Sequence, residues 1–269
     1  MSVRGEYTST HNYFVPFLCL MEVLVSVNSL KEKNLASGGY NHADWQAKRN
    51  FLRFLIRTIG FTLLAKLNRV EGLENVPSSG PCLLMINHIA FIDPFVVLHV
   101  LPRNITPLAK AEVYNYPVIG IFPKLWGVIP VHREEFDRRA VQEVLSVLKA
   151  GEIVLVAPEA TRGPALKEGK EGIAYLASRA HVPVIPTAVD GTIGFPALRG
   201  TAPWQGPGAS VRFGEPFIFK PEYRHARREE LRKMTDEAMY ILAGLLPPHR
   251  RGIYADLDTA SQDTIEWLD

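Results

Sequence analysis

Apolar runs and polar breaks alternate along this chain in the manner of a layered α/β fold. The run Cys82–Ile86 (CLLMI) is continuously apolar, as in a strand buried on both faces, and it stops at Asn87-His88. Asp93 and Pro94 then open the apolar stretch FVVLHVL, which reads as a helix with proline in its first turn. Further strands are expected at 104–110, 127–131, 153–157, 183–189 and 209–213. The clearest helix runs from 137 to 151, with Asp137 as N-cap, Val141, Val144, Leu145 and Leu148 on one face, and Gly151 at its end. Helices are also expected at 169–180 and 225–246, the last closed by Pro247-Pro248. The stretches 114–123 and 191–208 are rich in Gly, Pro and aromatic residues and read as irregular. Strands alternating with helices predict one α/β domain over 76–250, followed by an acidic tail at 251–269.

Upstream the pattern changes. Residues 13–30 are apolar but interrupted by Pro16 and Glu22, too broken for a firm membrane span. Arg4 alone precedes them, offset by Glu6, so a signal peptide fits poorly. They read as a loosely packed helix, with a start at Met21 as the alternative. The Ser37-Gly38-Gly39 stretch reads as a linker, making 1–44 an extension plus linker. Residues 45–70 carry Lys48, Arg49, Arg53, Arg57, Lys66 and Arg69, with no acidic residue and no proline. Within this basic amphipathic segment, 45–75, Arg49, Arg53 and Arg57 recur every four residues as one polar stripe. Leu52, Leu55, Ile56, Ile59 and Leu63 form an apolar face, with Phe54 and Phe61 elsewhere. Spanning a bilayer with Arg53 and Arg57 costs about 2.5–3.5 kcal/mol for each. An in-plane helix on an anionic membrane surface is favoured, and a helix packed between protein elements is the alternative.

Composition narrows the function classes. A chain with 47% apolar residues builds a core and is not disordered. A net charge of +2 creates no global field for nucleic acid. Cys19 and Cys82 are far apart and offer neither a disulfide framework nor metal-ligand spacing.

The turn after the 82–86 strand carries the candidate chemistry. His88 has the side chain suited to proton transfer near neutral pH, and Asp93 can orient its ring and stabilise the imidazolium. The spacing alone does not select this pair, because His132 and Asp137 repeat it. His132 sits in the charged HREEFDRR, whereas His88 ends a buried strand. Two further strand ends are polar: Arg133 after GVIPVH, and Glu159-Ala160-Thr161-Arg162. Arginines beside a base suit an anionic, phosphate-bearing substrate.

Together these clusters resemble the lysophosphatidic acid acyltransferase family of glycerolipid acyltransferases. The first motif, NHxxxxD, stands as Asn87-His88-Ile89-Ala90-Phe91-Ile92-Asp93. The second is GVIPVHR, ending at Arg133; the third is Pro158-Glu159-Ala160-Thr161-Arg162, followed by Lys170-Glu171-Gly172; the fourth is Val182-Pro183-Val184-Ile185-Pro186. The third motif departs from the usual PEGTR by Ala160 for glycine, a substitution that matters if the position needs a positive φ. The resemblance implies a single mixed-sheet acyltransferase domain with helices packed around it, preceded by the membrane-surface helix. It implies His88 as general base, Asp93 as its partner, and Asn87, Arg133, Glu159, Thr161, Arg162, Lys170 and Gly172 as substrate-binding residues. The donor would be acyl-CoA or acyl carrier protein, and the acceptor a membrane lysophospholipid, most of all lysophosphatidic acid. No metal or further cofactor is required. Such an enzyme would lie peripherally or monotopically on the cytoplasmic face of the membrane. Another lysolipid acceptor, or hydrolysis of the thioester or lipid, are the alternatives.

Overall fold

The strands are β1 (Leu67–Glu71), β2 (Cys82–Ile86), β3 (Ile105–Lys110), β4 (Ile129–Val131), β5 (Ile153–Val156), β6 (Val184–Asp190), β7 (Ala209–Phe213), β8 (Phe217–Phe219) and β9 (Ile265–Trp267). The structure, a computed structural model, describes residues 41–117, 120–132 and 136–268. The apolar 13–30 stretch, with its alternative start at Met21, and Arg133 therefore lie outside the described residues. The unit that begins at Tyr40 holds all the elements described below.

The main sheet order is β1-β7-β6-β2-β5-β3-β4, with β8 beside β6 and β9 beside β8. β2 runs parallel to both β5 and β6, and β7 runs antiparallel to β6, so the sheet is mixed. The central position of β2 explains its unbroken apolar sequence: all five side chains are buried. Leu83 and Met85 face one apolar layer, and Cys82, Leu84 and Ile86 face the other.

The helices are α1 (His42–Leu55), α2 (Phe61–Leu64, joined to α1 by a π-helical turn at Ile56–Gly60), α3 (Asp93–Val100), α4 (Ile121–Trp126), α5 (Arg138–Lys149), α6 (Gly172–Ala180) and α7 (Arg228–Leu245). α5, α6 and α7 cover the Leu83 face, while α1, α2 and α3 cover the other. Asp137 caps α5 as its position suggests, accepting from the Ala140 amide at 2.9 Å.

Three expectations need correction. The helix expected through most of 45–70 ends at Leu64, and the rest of that segment, Leu67–Glu71, is an edge strand parallel to β7. The 114–123 stretch contains the start of α4, with Pro123 tolerated in its first turn. The acidic tail is packed onto the domain. β9 pairs with β8, and buried Glu237 accepts from the Ser261 and Thr264 hydroxyls and the Asp263 and Thr264 amides. All three depend on partners distant in sequence.

The arginine stripe of α1 also faces the wrong way for lipid. Arg49 is fully buried, paired with Glu152 at 2.8 Å and donating to the Trp126 carbonyl at 2.9 Å. Arg53 donates to Asn104 Oδ1 and the Pro102 carbonyl. Arg57 donates to the His99 and Leu101 carbonyls at 2.9 and 2.6 Å. Arg49 and Arg57 thus satisfy orphan carbonyls at the C-terminal ends of α4 and α3, where a cation is also favoured by the helix dipole. Leu52 and Ile56 pack against the core, whereas Phe51, Phe54, Ile59 and Leu63 are 62%, 60%, 54% and 48% exposed. The amphipathic segment is therefore inverted: its cations hold it to the domain, and an apolar stripe at helical spacing faces outward.

Candidate active site

Asn87 follows the last residue of β2 and is buried. It donates to the Val189 carbonyl at 2.8 Å and accepts from the Val189 amide at 2.7 Å. This reciprocal pair extends the β2–β6 ladder by one rung made from a side chain. Both polar ends of Asn87 engage backbone, which gives it a bracing role between β2 and β6.

The chain then folds back on itself around Asp93. Asp93 Oδ2 accepts from the Ile89 and Ala90 amides at 2.7 and 2.8 Å and lies 2.9 Å from His88 Nδ1. Asp93 Oδ1 accepts from Thr192 Oγ1 at 2.6 Å, and both Asp93 and Thr192 are fully buried. With the Asp93 carboxylate as acceptor, the ring donates to it from Nδ1. Nε2 is then the ring atom available to accept a proton, and the His88 side chain remains 20% exposed. His132 makes no comparable pair: its backbone amide, not its ring, donates to Asp137 Oδ2 at 3.1 Å.

The loop after β5 closes over this turn. Glu159 is buried, with Oε1 accepting from the His88 amide and Oε2 from the Lys167 amide, each at 3.0 Å. Gly163 adds a bond from its amide to the His88 carbonyl at 2.9 Å. Glu159 is therefore a strut between two loops, each of its oxygens engaged by a backbone amide. Burial raises its pKa above the usual glutamate value, against the opposing pull of the His88 and Lys167 amides. Its ionisation consequently costs folding free energy as pH rises through that raised value. Arg250, which the sequence pattern did not single out, anchors the same loop. It donates to Asp190 Oδ1 at 2.8 Å and to the Pro164 carbonyl at 2.7 Å, and its carbonyl accepts from the Leu166 amide.

His88 opens onto a cavity of about 320 Å³. Ala160, Thr161 and Arg162 border it beside His88, Phe91 stands at its rim, and its apolar walls include Phe95, Leu108, Phe122, Val128 and Leu155. Phe91, Phe95, Phe122 and Trp126 form a chain of ring contacts with centroids 5.5, 4.6 and 5.5 Å apart, running from the exposed rim to the core. The site is thus polar at the mouth and apolar behind it, shaped for an amphiphile. Lys170 and Gly172 are not among the lining residues: the Lys170 amide bonds the Pro158 carbonyl, and Gly172 begins α6.

Residues 68–190, which hold every element of this site up to Asp190, match the family model described as Acyltransferase. Over those residues the chain is similar to that family. It is 33% identical over 130 residues to a chloroplastic 1-acyl-sn-glycerol-3-phosphate acyltransferase of Brassica napus, covering 46% of this chain and 37% of that protein. It is 29% identical over 124 residues to the 1-acyl-sn-glycerol-3-phosphate acyltransferase of Bacillus subtilis, covering 46% of this chain and 62% of that protein. The matches thus span less than two thirds of those relatives' length. In fold it resembles the crystal structure of a 1-acyl-sn-glycerophosphate acyltransferase from Thermotoga maritima, with a TM-score of 0.53, 22% identity, and coverage of 85% of this chain and 95% of that one.

One departure from the third motif has a direct structural cost. Ala160 has φ +57°, the left-handed region suggested by the glycine it replaces. Left-handed backbone costs an L-residue about 1–2 kcal/mol, partly offset because alanine loses less entropy on folding than glycine. Ala160→Gly is expected to raise stability by about 0.5–1 kcal/mol in urea denaturation. An unchanged or lower midpoint would show that the loop carries no strain at this residue.

Proposed function

We propose that this protein transfers a fatty acyl chain from a thioester donor, acyl-CoA or acyl carrier protein, to the free hydroxyl of a lysophospholipid, foremost lysophosphatidic acid. The observation that carries this is the Asp93-held His88 at the mouth of an apolar cavity. His88 Nε2 takes the acceptor hydroxyl proton as that oxygen attacks the thioester carbonyl. The C–S bond breaks, and the imidazolium returns the proton to the departing thiolate. Burial pushes the Cys82 thiol up to about 12, so it is no nucleophile, and direct transfer fits better than an acyl-enzyme. Arg162 at the rim, with Arg133, serves the acceptor phosphate. No metal or additional cofactor enters this mechanism.

The test is an acceptor screen with one labelled acyl-CoA, with products identified by mass. Lysophosphatidic acid is expected to give the highest kcat/KM, and Arg162→Ala to raise KM for that acceptor about tenfold, the loss of one charge-assisted contact. A rise in the donor KM alone would assign Arg162 to the carrier instead.

We further propose that the enzyme sits peripherally on the cytoplasmic leaflet, with the outward stripe of α1 and α2 against the lipid. Among the described residues no helix is long and apolar enough to cross a membrane. Phe51, Phe54, Ile59 and Leu63 supply the apolar contact. Burying a phenylalanine contributes about 1.5–3 kcal/mol, so Phe51→Ser with Phe54→Ser should weaken vesicle partitioning roughly 100-fold at low and high salt alike. Unchanged co-sedimentation would remove the stripe from the membrane contact.

A further inference from the structure

We propose that Thr192 is a positioning residue for catalysis, its hydroxyl fixing the Asp93 carboxylate so that Oδ2 stays aimed at His88 Nδ1. This rests on the acyltransferase mechanism proposed above. The donors to Oδ2 all come from Asp93's own turn, from residues three to five positions before it in the chain. Oδ1 is held instead from a distant part of the chain, by Thr192 at 2.6 Å across 99 residues of sequence. Asp93 is fully buried, so no bulk solvent reaches Oδ1 if that donor is removed. An anionic oxygen left without a donor would favour rotation of the carboxylate away from His88.

The backbone around Thr192 is built to hold it in place. Asn87 locks Val189 on both its polar groups, three residues before Thr192. Gly191 has φ +73°, and a Cβ there would lie 2.2 Å from the Gly208 carbonyl oxygen, so only glycine permits this close approach. The turn closes with the Phe195 amide on the Thr192 carbonyl at 3.1 Å. Other ionisable groups near the pair are Glu159, which holds the His88 amide, and Arg162 and Lys167 on the same loop. Glu159 accepts from the His88 and Lys167 amides, and the Lys167 ammonium donates to the Arg162 carbonyl.

The experiment compares full-length Thr192→Val, Thr192→Ala and Thr192→Ser with wild type and His88→Ala. Acyl-CoA and lysophosphatidic acid are the substrates, and kcat and KM are measured from pH 5.5 to 9. Thr192→Val and Thr192→Ala are expected to lower kcat roughly 10–100-fold, the value of one hydrogen bond to a charged group, with both KM values little changed. A carboxylate turned away from the ring stabilises the imidazolium less. The acidic limb of kcat/KM should therefore move to lower pH in both variants. Thr192→Ser restores the hydroxyl and should restore both rate and profile. If Val fails to fold, the Ala and Ser pair carries the same comparison. Wild-type kcat and profile in Thr192→Ala, or a Ser variant as impaired as Ala, would overturn the assignment. So would lost stability with an unshifted profile, which marks a purely structural threonine. His88→Ala separates the two layers: if it stays active the underlying mechanism falls, and if it is inactive while Thr192→Ala is normal, only the role of Thr192 falls.

Discussion

His88→Ala is expected to lower acyl transfer by about 10²–10⁴-fold, the usual contribution of a positioned general base. His132→Ala should retain most activity. Both histidines precede an aspartate by five residues, yet only His88 offers its ring to that aspartate, at 2.9 Å, and only His88 borders the cavity. Asp137 is occupied instead in capping α5 through the Ala140 amide. The measurement is kcat for both variants under saturating donor and acceptor, with circular dichroism to establish folding. Equal losses in two folded variants would remove the basis for choosing His88.

Arg49→Ala is expected to destabilise the domain by about 3–5 kcal/mol, because it breaks a buried ion pair by removing the guanidinium that faces Glu152 at 2.8 Å. Glu152 keeps a bond from Thr106 at 3.1 Å, which does not replace a guanidinium. Arg49→Ala combined with Glu152→Ala should cost less than the two single changes added together, since the pair is lost only once. Urea denaturation of the three variants measures this. A loss under about 1 kcal/mol, the range of an exposed ion pair, would contradict the buried role and reopen lipid contact for this arginine.

The contrast between these residues shows what the sequence could reveal. The 82–86 strand, the helix opening at Asp93 and the cap at Asp137 are local patterns, and each formed where its residues indicated. Ala160 was legible too, since a glycine position in a motif signals positive φ, which the structure shows. The arginine stripe was visible as periodicity, but periodicity does not say which face meets the protein. That depends on the carbonyl ends of α3 and α4, 42 to 77 residues away. Asn87 and Glu159 were found as polar residues at strand ends. Their work as braces became apparent only with Val189, His88 and Lys167 placed around them. Thr192 and Arg250 gave no signal, because one lies in a Gly- and Pro-rich loop and the other beyond a helix-ending Pro-Pro.

The central claim is that the acyl chain goes from a thioester to a lipid hydroxyl through His88. Its most direct test is product partition from a labelled acyl-CoA, with lysophosphatidic acid present or absent, followed by mass analysis. The expected result is labelled phosphatidic acid in stoichiometric balance with free thiol when acceptor is present, and almost no turnover without it. Free fatty acid released at the same rate with or without acceptor would contradict the claim and make the protein a hydrolase.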